Sequence, residues 1–425
     1  MPSARDRTGP AEASRICCLD LDTFFVSVER VLDPTLEGKP VIVGGQPGGR
    51  GVVTACSYEV REFGVRAGMS ITEATALAPK HTVWLSGRDT AYSEYAQRVR
   101  DLAERYSPVI VIASIDEMFI DFTGCERMFA SADDASPDET IYRTVAQMCQ
   151  AIHDEIGLPS SAGIATSKVV SKVASGLAKP RGVLLVPKGA ERDFLGPLPV
   201  RKFPGIGPVG EAKLRAAGLE TLAQVAATPT KQLDEIFGAW GPHIKRGVLG
   251  MGSGDLGRER PAFREHDPAG TAVGSISNER TFREDVRDPS SIESMLSSLC
   301  ERVCWRARKR GVKARTITLK LRYADFLTLS RSKTLAPTNS ELELFPVVRD
   351  LYRQARTRKT PIRLLGLALS NLGLFGQLEL FGAGNDTLHD VVDDIRKRYG
   401  FETMQWGTSR KPTRGIRGPV SRDSS

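Results

Sequence analysis

The chain has 425 residues, 40% of them hydrophobic and 26% charged, with 59 Lys and Arg against 51 Asp and Glu. That length suits two to four domains, and the balance is that of a soluble globular protein able to bury several cores. No run reaches the ~18–20 apolar residues of a membrane span. The seven cysteines form no C-x-x-C pair, and the five histidines have no spaced ligand partner, which speaks against a disulfide framework, a zinc site or imidazole chemistry.

The net charge of +8 favours polyanionic partners such as nucleic acid. Residues 1–15 are polar, without the apolar region of a signal peptide, so a reducing cytoplasm is the expected location.

In chain order, ICCLDLD (16–22) reads as a buried strand whose end carries Asp20 and Asp22 on one face. A short helix over 23–33 is stopped by Pro34. Strands follow at 40–44 and 51–56 around a glycine-rich turn, and Ser70-x-x-Glu73 opens a capping-box helix ending near Pro79. Residues 90–106 place Tyr95, Val99, Leu102 and Tyr106 at helical spacing. VIVIAS (109–114) reads as a strand buried on both sides, and MFIDF (118–122) as its hairpin partner, with Asp116 and Glu117 near the tip. A helix at 138–156, a strand at 160–165, a helix at 167–178 and a strand at 183–186 complete an α/β unit.

Residues 187–253 change to short helices punctuated by glycine, and 254–270 are polar and Gly/Arg/Pro-rich, as a linker is. From 271 to 373 the pattern is strand, helix, strand, strand, helix, strand. ARTITLKLRY (314–323) alternates, sending Ile317, Leu319, Leu321 and Tyr323 one way and Thr316, Thr318, Lys320 and Arg322 the other. Beyond it lie QLELF (377–381), an acidic helical stretch at 387–398, and a polar end after about 408 expected to be disordered.

Phosphoryl transfer without histidine points to metal ions, and hard divalent cations take carboxylate oxygens. Bridging two ions requires acids from different strands converging at one sheet edge, and Asp20, Asp116 and Glu117 stand where such strands end. Taken singly, an acid at a strand end is more often solvated or a cap. Likewise an isolated Arg or Lys is usually an exposed charge, an isolated Phe a core residue, and PGIGPVG a simple turn between helices.

LDLDTFFVSVE (19–29) and SIDEMFID (114–121) resemble the two acidic motifs of the Y-family (translesion) DNA polymerases, on the bacterial DNA polymerase IV pattern. The likeness continues in order through VVTACSYEVREFGVRAGM (52–69), AGIATSKVVSKVASGLAKPRG (162–182) and FPGIGPVGEAKL (203–214), and covers roughly residues 14–405. It implies an α/β (α+β) multidomain right-hand polymerase. The palm would take 14–23 and 87–186, the fingers 24–86, a helix-hairpin-helix thumb 187–253, the linker 254–270, a βαββαβ little finger 271–373, and a tail with a clamp-binding motif 374–425.

By position, the resemblance makes Asp20, Asp116 and Glu117, with the Leu21 carbonyl, the ligands of two Mg²⁺ ions, Mn²⁺ being the alternative. Asp22 is then a supporting acid. Tyr58, Arg61 and Lys179 fall on the triphosphate-binding positions, and Phe25 on the steric gate that rejects a ribose 2′-hydroxyl, with Phe24 as its core neighbour. Ala55 departs from the pattern, where a threonine often sits near the phosphates. Gly205 and Gly207 would let backbone N–H groups approach a DNA phosphate, and Lys320, Arg322, Arg331 and Lys333 would face the DNA backbone from the last sheet. Gln377, Leu378, Leu380 and Phe381 match a peptide for the sliding clamp.

The implied activity is error-prone, template-directed DNA synthesis from dNTPs on a primer–template, by a monomer without a proofreading exonuclease. Two rivals are a non-catalytic accessory protein of the same fold, which should lack the metal acids, and a helix-hairpin-helix nuclease, which needs neither gate nor dNTP residues.

Overall fold

The computed structural model describes residues 14–252, 254, 256, 274–374 and 385–410. The chain divides into two compact units, Met1–Glu259 and Arg260–Ser425. The strands of the first unit are β1 (Ile16–Leu21), β2 (Val41–Gly44), β3 (Val53–Cys56), β4 (Val83–Leu85), β5 (Ile110–Ile112), β6 (Glu117–Asp121), β7 (Ser160–Ala165) and β8 (Val183–Leu185).

They form a five-stranded sheet in the order β5-β6-β1-β7-β8 and a small sheet in the order β3-β2-β4. β1 lies at the centre of the larger sheet, antiparallel to both β6 and β7. Its apolar run is covered on both faces, which is why the sequence is continuous rather than alternating. Cys17, Leu19 and Leu21 join Ile120, Met148 and Ile152 in the main core, under the helices Asp89–Ala103 and Pro137–Ile156. Ile16 and Cys18 face the other way, with Phe119 and Leu256.

On that second face lies the helix Lys168–Ala178, begun by Ser167, whose side chain accepts from the Val170 N–H. Gly163 in β7 permits its approach: a Cβ there would run into the backbone of Ser171 and Ser175. The stretch 109–114 is less buried than its composition suggests. β5 is an edge strand paired only with β6, and Val109 and Ile112 are exposed. An unbroken β-branched run suits a strand, but it does not say whether both faces or edges are covered.

The short helices from Glu191 to Val248 share an apolar cluster with Val170, Val173 and Ala174 of the helix on the acid-bearing face. The capping box at Ser70 and Glu73 is present as expected.

The second unit contains β9 (Ser275–Val286), β10 (Lys313–Tyr323), β11 (Thr328–Thr338) and β12 (Ile362–Gly373), an antiparallel sheet in the order β11-β10-β12-β9. The helices Pro289–Lys309 and Glu341–Ala355 complete the βαββαβ pattern. They cover the face of Ile317, Leu319, Leu321 and Tyr323.

A further helix, Asn385–Tyr399, buries charged residues alongside Val392 and leaves part of its apolar surface outside. His389, Asp393 and Arg396 are buried, while Leu388, Val391 and Tyr399 are exposed. Hydrogen bonds and ion pairs account for the buried charges. Arg308 donates to Asp393 Oδ2 at 2.7 Å and to Glu341 Oε2 at 2.5 Å. Arg396 is ion-paired with Glu301, and Trp406 Nε1 donates to Glu341 Oε1 at 3.2 Å.

Candidate active site

Register brings the acids together. Asp20 of β1 is the cross-strand partner of Glu117 of β6, a pairing that sets Cβ atoms on one face ~4.5–5.5 Å apart. Asp116, in the turn before β6, is fixed to the same spot by its backbone, its carbonyl accepting from the Leu21 N–H at 2.9 Å. Its side chain accepts from Ser114 Oγ at 2.5 Å. Asp20 is on the face of Ile16 and Cys18, so it looks toward the helix Lys168–Ala178.

That helix and the residue closing it supply the counter-charges. Lys179 Nζ stands 2.5 Å from Asp20 and 3.5 Å from Asp22, and Lys172 is ion-paired with Glu117. Burial raises the pKa of the Asp20 carboxyl, Lys179 pulls it back, and the nearby charges of Asp116 and Glu117 raise it again, leaving it above the usual range. The mutual repulsion is an electrostatic mark of their proximity. With lysine and serine partners holding the carboxylates, no three acidic, histidine or cysteine side chains among the described residues form a ready-made metal cage.

Asp22 is 1% exposed and fully engaged. It accepts from Ser161 Oγ and the Arg181 N–H, both at 2.8 Å, and from Tyr58 Oη at 3.4 Å. It therefore ties together β7, the segment after Lys179 and the helix Tyr58–Arg61. Burial, and then the Asp22 charge, push the Tyr58 phenol up to about 12. The Arg61 guanidinium lies 4.9 Å over the Tyr58 ring, and its Nε donates to the Cys56 carbonyl at 3.2 Å. A cleft of about 500 Å³ opens beside Asp22, Thr23, Tyr58, Pro180 and Arg181.

Phe24 and Phe25 divide as adjacent helical residues must. Phe24 is in the core, whereas Phe25 is only partly buried. The Phe25 ring stacks on Tyr92 at 4.2 Å and 16°. Tyr92 Oη donates to the fully buried Glu29 at 2.7 Å, and Arg88 pairs with the other oxygen of Glu29 at 3.3 Å.

Lys172, Tyr92 and Glu29 were not among the residues expected from sequence. Lys168, Lys172 and Lys179 recur four and seven apart in the motif that follows β7, the spacing of one helix face. Tyr92 precedes Tyr95 and Val99 on their stripe.

Gly205 has φ +94°, and a Cβ there would meet the Trp240 ring at 2.5 Å. Gly207 caps the helix Pro208–Ala216. In the second unit the four cations expected on one face are split. Lys320 and Arg322 are opposite Ser330 and Thr328, on the face the helices leave open, whereas Arg331 and Lys333 pair across from Leu319 and Ile317. Hydrogen bonds between Thr316 and Thr334 and between Thr318 and Ser332 fix this register. Arg331 and Lys333 thus sit on the apolar side, at the edge strand, in phase with Leu329 and Leu335. Lys320 is paired with Glu279 at 2.9 Å. Gln377, Leu378, Leu380 and Phe381 lie outside the described residues.

A sheet with acids gathered at one end, a small sheet followed by the helix that carries Tyr58 and Arg61, a helical segment and a separate βαββαβ unit define a right-hand nucleic-acid polymerase. The impB/mucB/samB family model matches residues 19–176, its helix-hairpin-helix motif residues 188–219, and its C-terminal domain residues 273–380. A DNA polymerase IV of Dehalococcoides mccartyi is 36% identical over 398 residues, 92% of this chain and 97% of that one. A DNA polymerase IV of Streptomyces coelicolor is 36% identical over 391 residues, 91% of this chain and 76% of that one. Among solved structures, a Y-family DNA polymerase chimera of Dbh and Dpo4 superposes with a TM-score of 0.72 at 24% identity, covering 84% of this chain and 98% of that one. An insertion ternary complex of Dbh DNA polymerase gives 0.57 at 25% identity, with the same coverage. The chain belongs to the impB/mucB/samB family, the Y-family DNA polymerases.

Proposed function

We propose that this DNA-directed DNA polymerase carries out translesion synthesis through Asp20, Asp116 and Glu117, holding two Mg²⁺ ions with help from the Leu21 carbonyl. The observation that carries the reading is the cross-strand pairing of Asp20 with Glu117, with Asp116 bonded through its backbone to Leu21. The donor set fits: three carboxylates and a carbonyl are hard oxygen ligands of the kind Mg²⁺ and Mn²⁺ take, and the charges of Asp116 and Glu117 already act on Asp20. Bound there, the ions supply activation of the primer 3′-hydroxyl and neutralisation of charge on the departing pyrophosphate.

The protein's own part is positioning. Tyr58, Arg61 and Lys179 grip the triphosphate, with the guanidinium donating as a planar fork. Asp22 aligns two of the three by accepting from Tyr58 and standing within reach of Lys179. Phe25, backed by Tyr92, lies under the sugar and excludes a 2′-hydroxyl. Gly205 and Gly207 of the first unit, and Lys320 and Arg322 of the second, hold the DNA backbone, Arg331 and Lys333 contributing at most from the sheet edge. The palm, fingers, thumb and little finger carry the boundaries the motifs give them. The polymerase works as a monomer tethered to the sliding clamp through Gln377, Leu378, Leu380 and Phe381.

Primer extension with Mg²⁺ tests the core of this reading. Synthesis by the parent chain that disappears in Asp116→Ala and Glu117→Ala is the expected result; undiminished synthesis in either, or cleavage without synthesis, overturns it. Deleting 377–381 should spare basal extension and remove stimulation by the clamp.

A further inference from the structure

The Glu117 carboxylate is ion-paired with Lys172, reaching from the helix Lys168–Ala178. The Glu117 side chain is 11% exposed, so it keeps little water, whereas Lys172 is 42% exposed. The contact is set by the fold. Glu117 and Phe119 point the same way from β6, and Lys172 and Lys168, one helical turn apart, stand over them in the same order. The Lys168 ammonium is 6.0 Å from the centre of the Phe119 ring. Gly163 lets the helix lie close enough for both contacts. Lys179 has its own task toward the triphosphate, but no step of the proposed reaction uses Lys172.

We infer that Lys172 is a positioning residue that competes with a divalent ion for Glu117 and so sets how readily the metal position served by Glu117 fills. The inference rests on the reading of Glu117 as a metal ligand. An ammonium and a divalent cation repel one another and would draw on the same carboxylate, so each weakens the hold of the other. Lys172 is built to yield: its charge sits on a flexible four-carbon stem at the edge of solvent. While it is engaged, it keeps the glutamate from turning away and neutralises part of the clustered negative charge. A lysine that merely held Glu117 in shape would have the opposite signature, because its removal would weaken ion binding rather than strengthen it.

The measurement is Mn²⁺ binding to the full chain without DNA or nucleotide, read from the electron paramagnetic resonance signal of the free ion. Lys172→Met and Lys172→Gln should bind Mn²⁺ about two- to fivefold more tightly, the range of a partly exposed ion pair. Lys172→Arg should remain close to the parent. Lys168→Met removes the same charge one turn away and should change affinity less. Unchanged or weaker binding in both uncharged variants, or equal tightening in Lys168→Met, overturns the inference. Glu117→Gln separates the two claims: if it leaves Mn²⁺ binding intact, the assignment of Glu117 as a ligand fails; if it abolishes tight binding while Lys172→Met changes nothing, only the role of Lys172 fails.

Discussion

Phe25 owes its orientation to a chain of interactions running away from the site, through the stacked ring of Tyr92 to the buried carboxylate of Glu29 and out to Arg88. The selectivity of the gate therefore belongs to more than one residue. Phe25→Ala should raise ribonucleotide incorporation relative to dNTP by about 10- to 100-fold, the range expected when a steric clash is removed. Tyr92→Phe keeps the stack but leaves one oxygen of Glu29 without its donor, so it should cost about 1–3 kcal/mol of stability with little change in sugar selection. Single-nucleotide incorporation kinetics and thermal unfolding read the two effects separately, and unchanged discrimination in Phe25→Ala would remove the gate assignment. Asp20 makes a different trade. Its raised pKa means that the folded state holds the proton more firmly than the unfolded chain. Its contribution thus favours the fold at low pH and is lost as pH rises through the folded pKa. Asp20→Asn should raise the melting temperature near neutral pH, a gain that shrinks on acidification, while polymerisation is lost. A lower melting temperature at every pH would show that the Lys179 ion pair outweighs burial and repulsion.

At the scale of strands and helices, what was legible in the sequence was what one element's own periodicity encodes. The acids at the end of β1 and at the hairpin tip, the alternation of β10 and the capping box all appear where the pattern placed them. Whatever depends on a second element was harder to read. The apolar run of β5 gives no hint that its outer edge is unpaired, and Lys172 gains its meaning only when Gly163 brings its helix onto the sheet. The two faces of the last sheet were readable in principle: in TLSRSKTLAPT, Arg331 and Lys333 keep step with Leu329 and Leu335, whereas Ser330, Ser332 and Thr334 keep step with one another. This division gives a test by salt. If the open face carries the DNA backbone, Lys320→Ala with Arg322→Ala should flatten the plot of log affinity against log salt by up to about 1.8, ~0.9 for each phosphate no longer neutralised. Arg331→Ala with Lys333→Ala should change the slope less. Equal effects from the two pairs would mean that DNA wraps the β11 edge rather than lying on the open face.

Across the whole molecule, the two units gain their stability in different ways. The first is closed by apolar packing on both sides of β1. The second has an apolar core under its sheet and, behind its helices, a polar core completed by residues 385–410. Periodicity alone does not foresee this, because the helix leaves Leu388, Val391 and Tyr399 exposed while burying Asp393 and Arg396 beside Val392, whereas an apolar stripe is expected inside. The ion-pair network explains the exception and also makes it vulnerable. Arg396 is 1% exposed and Glu301 0%. Burial pushes the Glu301 carboxyl up, against the downward pull of Ser409 and Arg396. Arg396→Met leaves that carboxylate inside with the Ser409 hydroxyl and the Trp406 N–H, the latter at 3.2 Å, and breaking a buried pair in this way costs about 3–5 kcal/mol. The destabilisation should be greatest above the raised folded pKa of Glu301, where the carboxylate is charged, and should diminish as pH falls and the group takes up a proton. Arg396→Met combined with Glu301→Met removes both charges and should recover most of the stability, since a well-packed apolar pair often equals a buried ion pair. Calorimetry of the full chain at two pH values distinguishes the outcomes. If the single variant unfolds at the parent temperature at both, the polar core does not hold the C-terminal segment in place; if the double variant is as unstable as the single one, the pair acts through shape rather than charge.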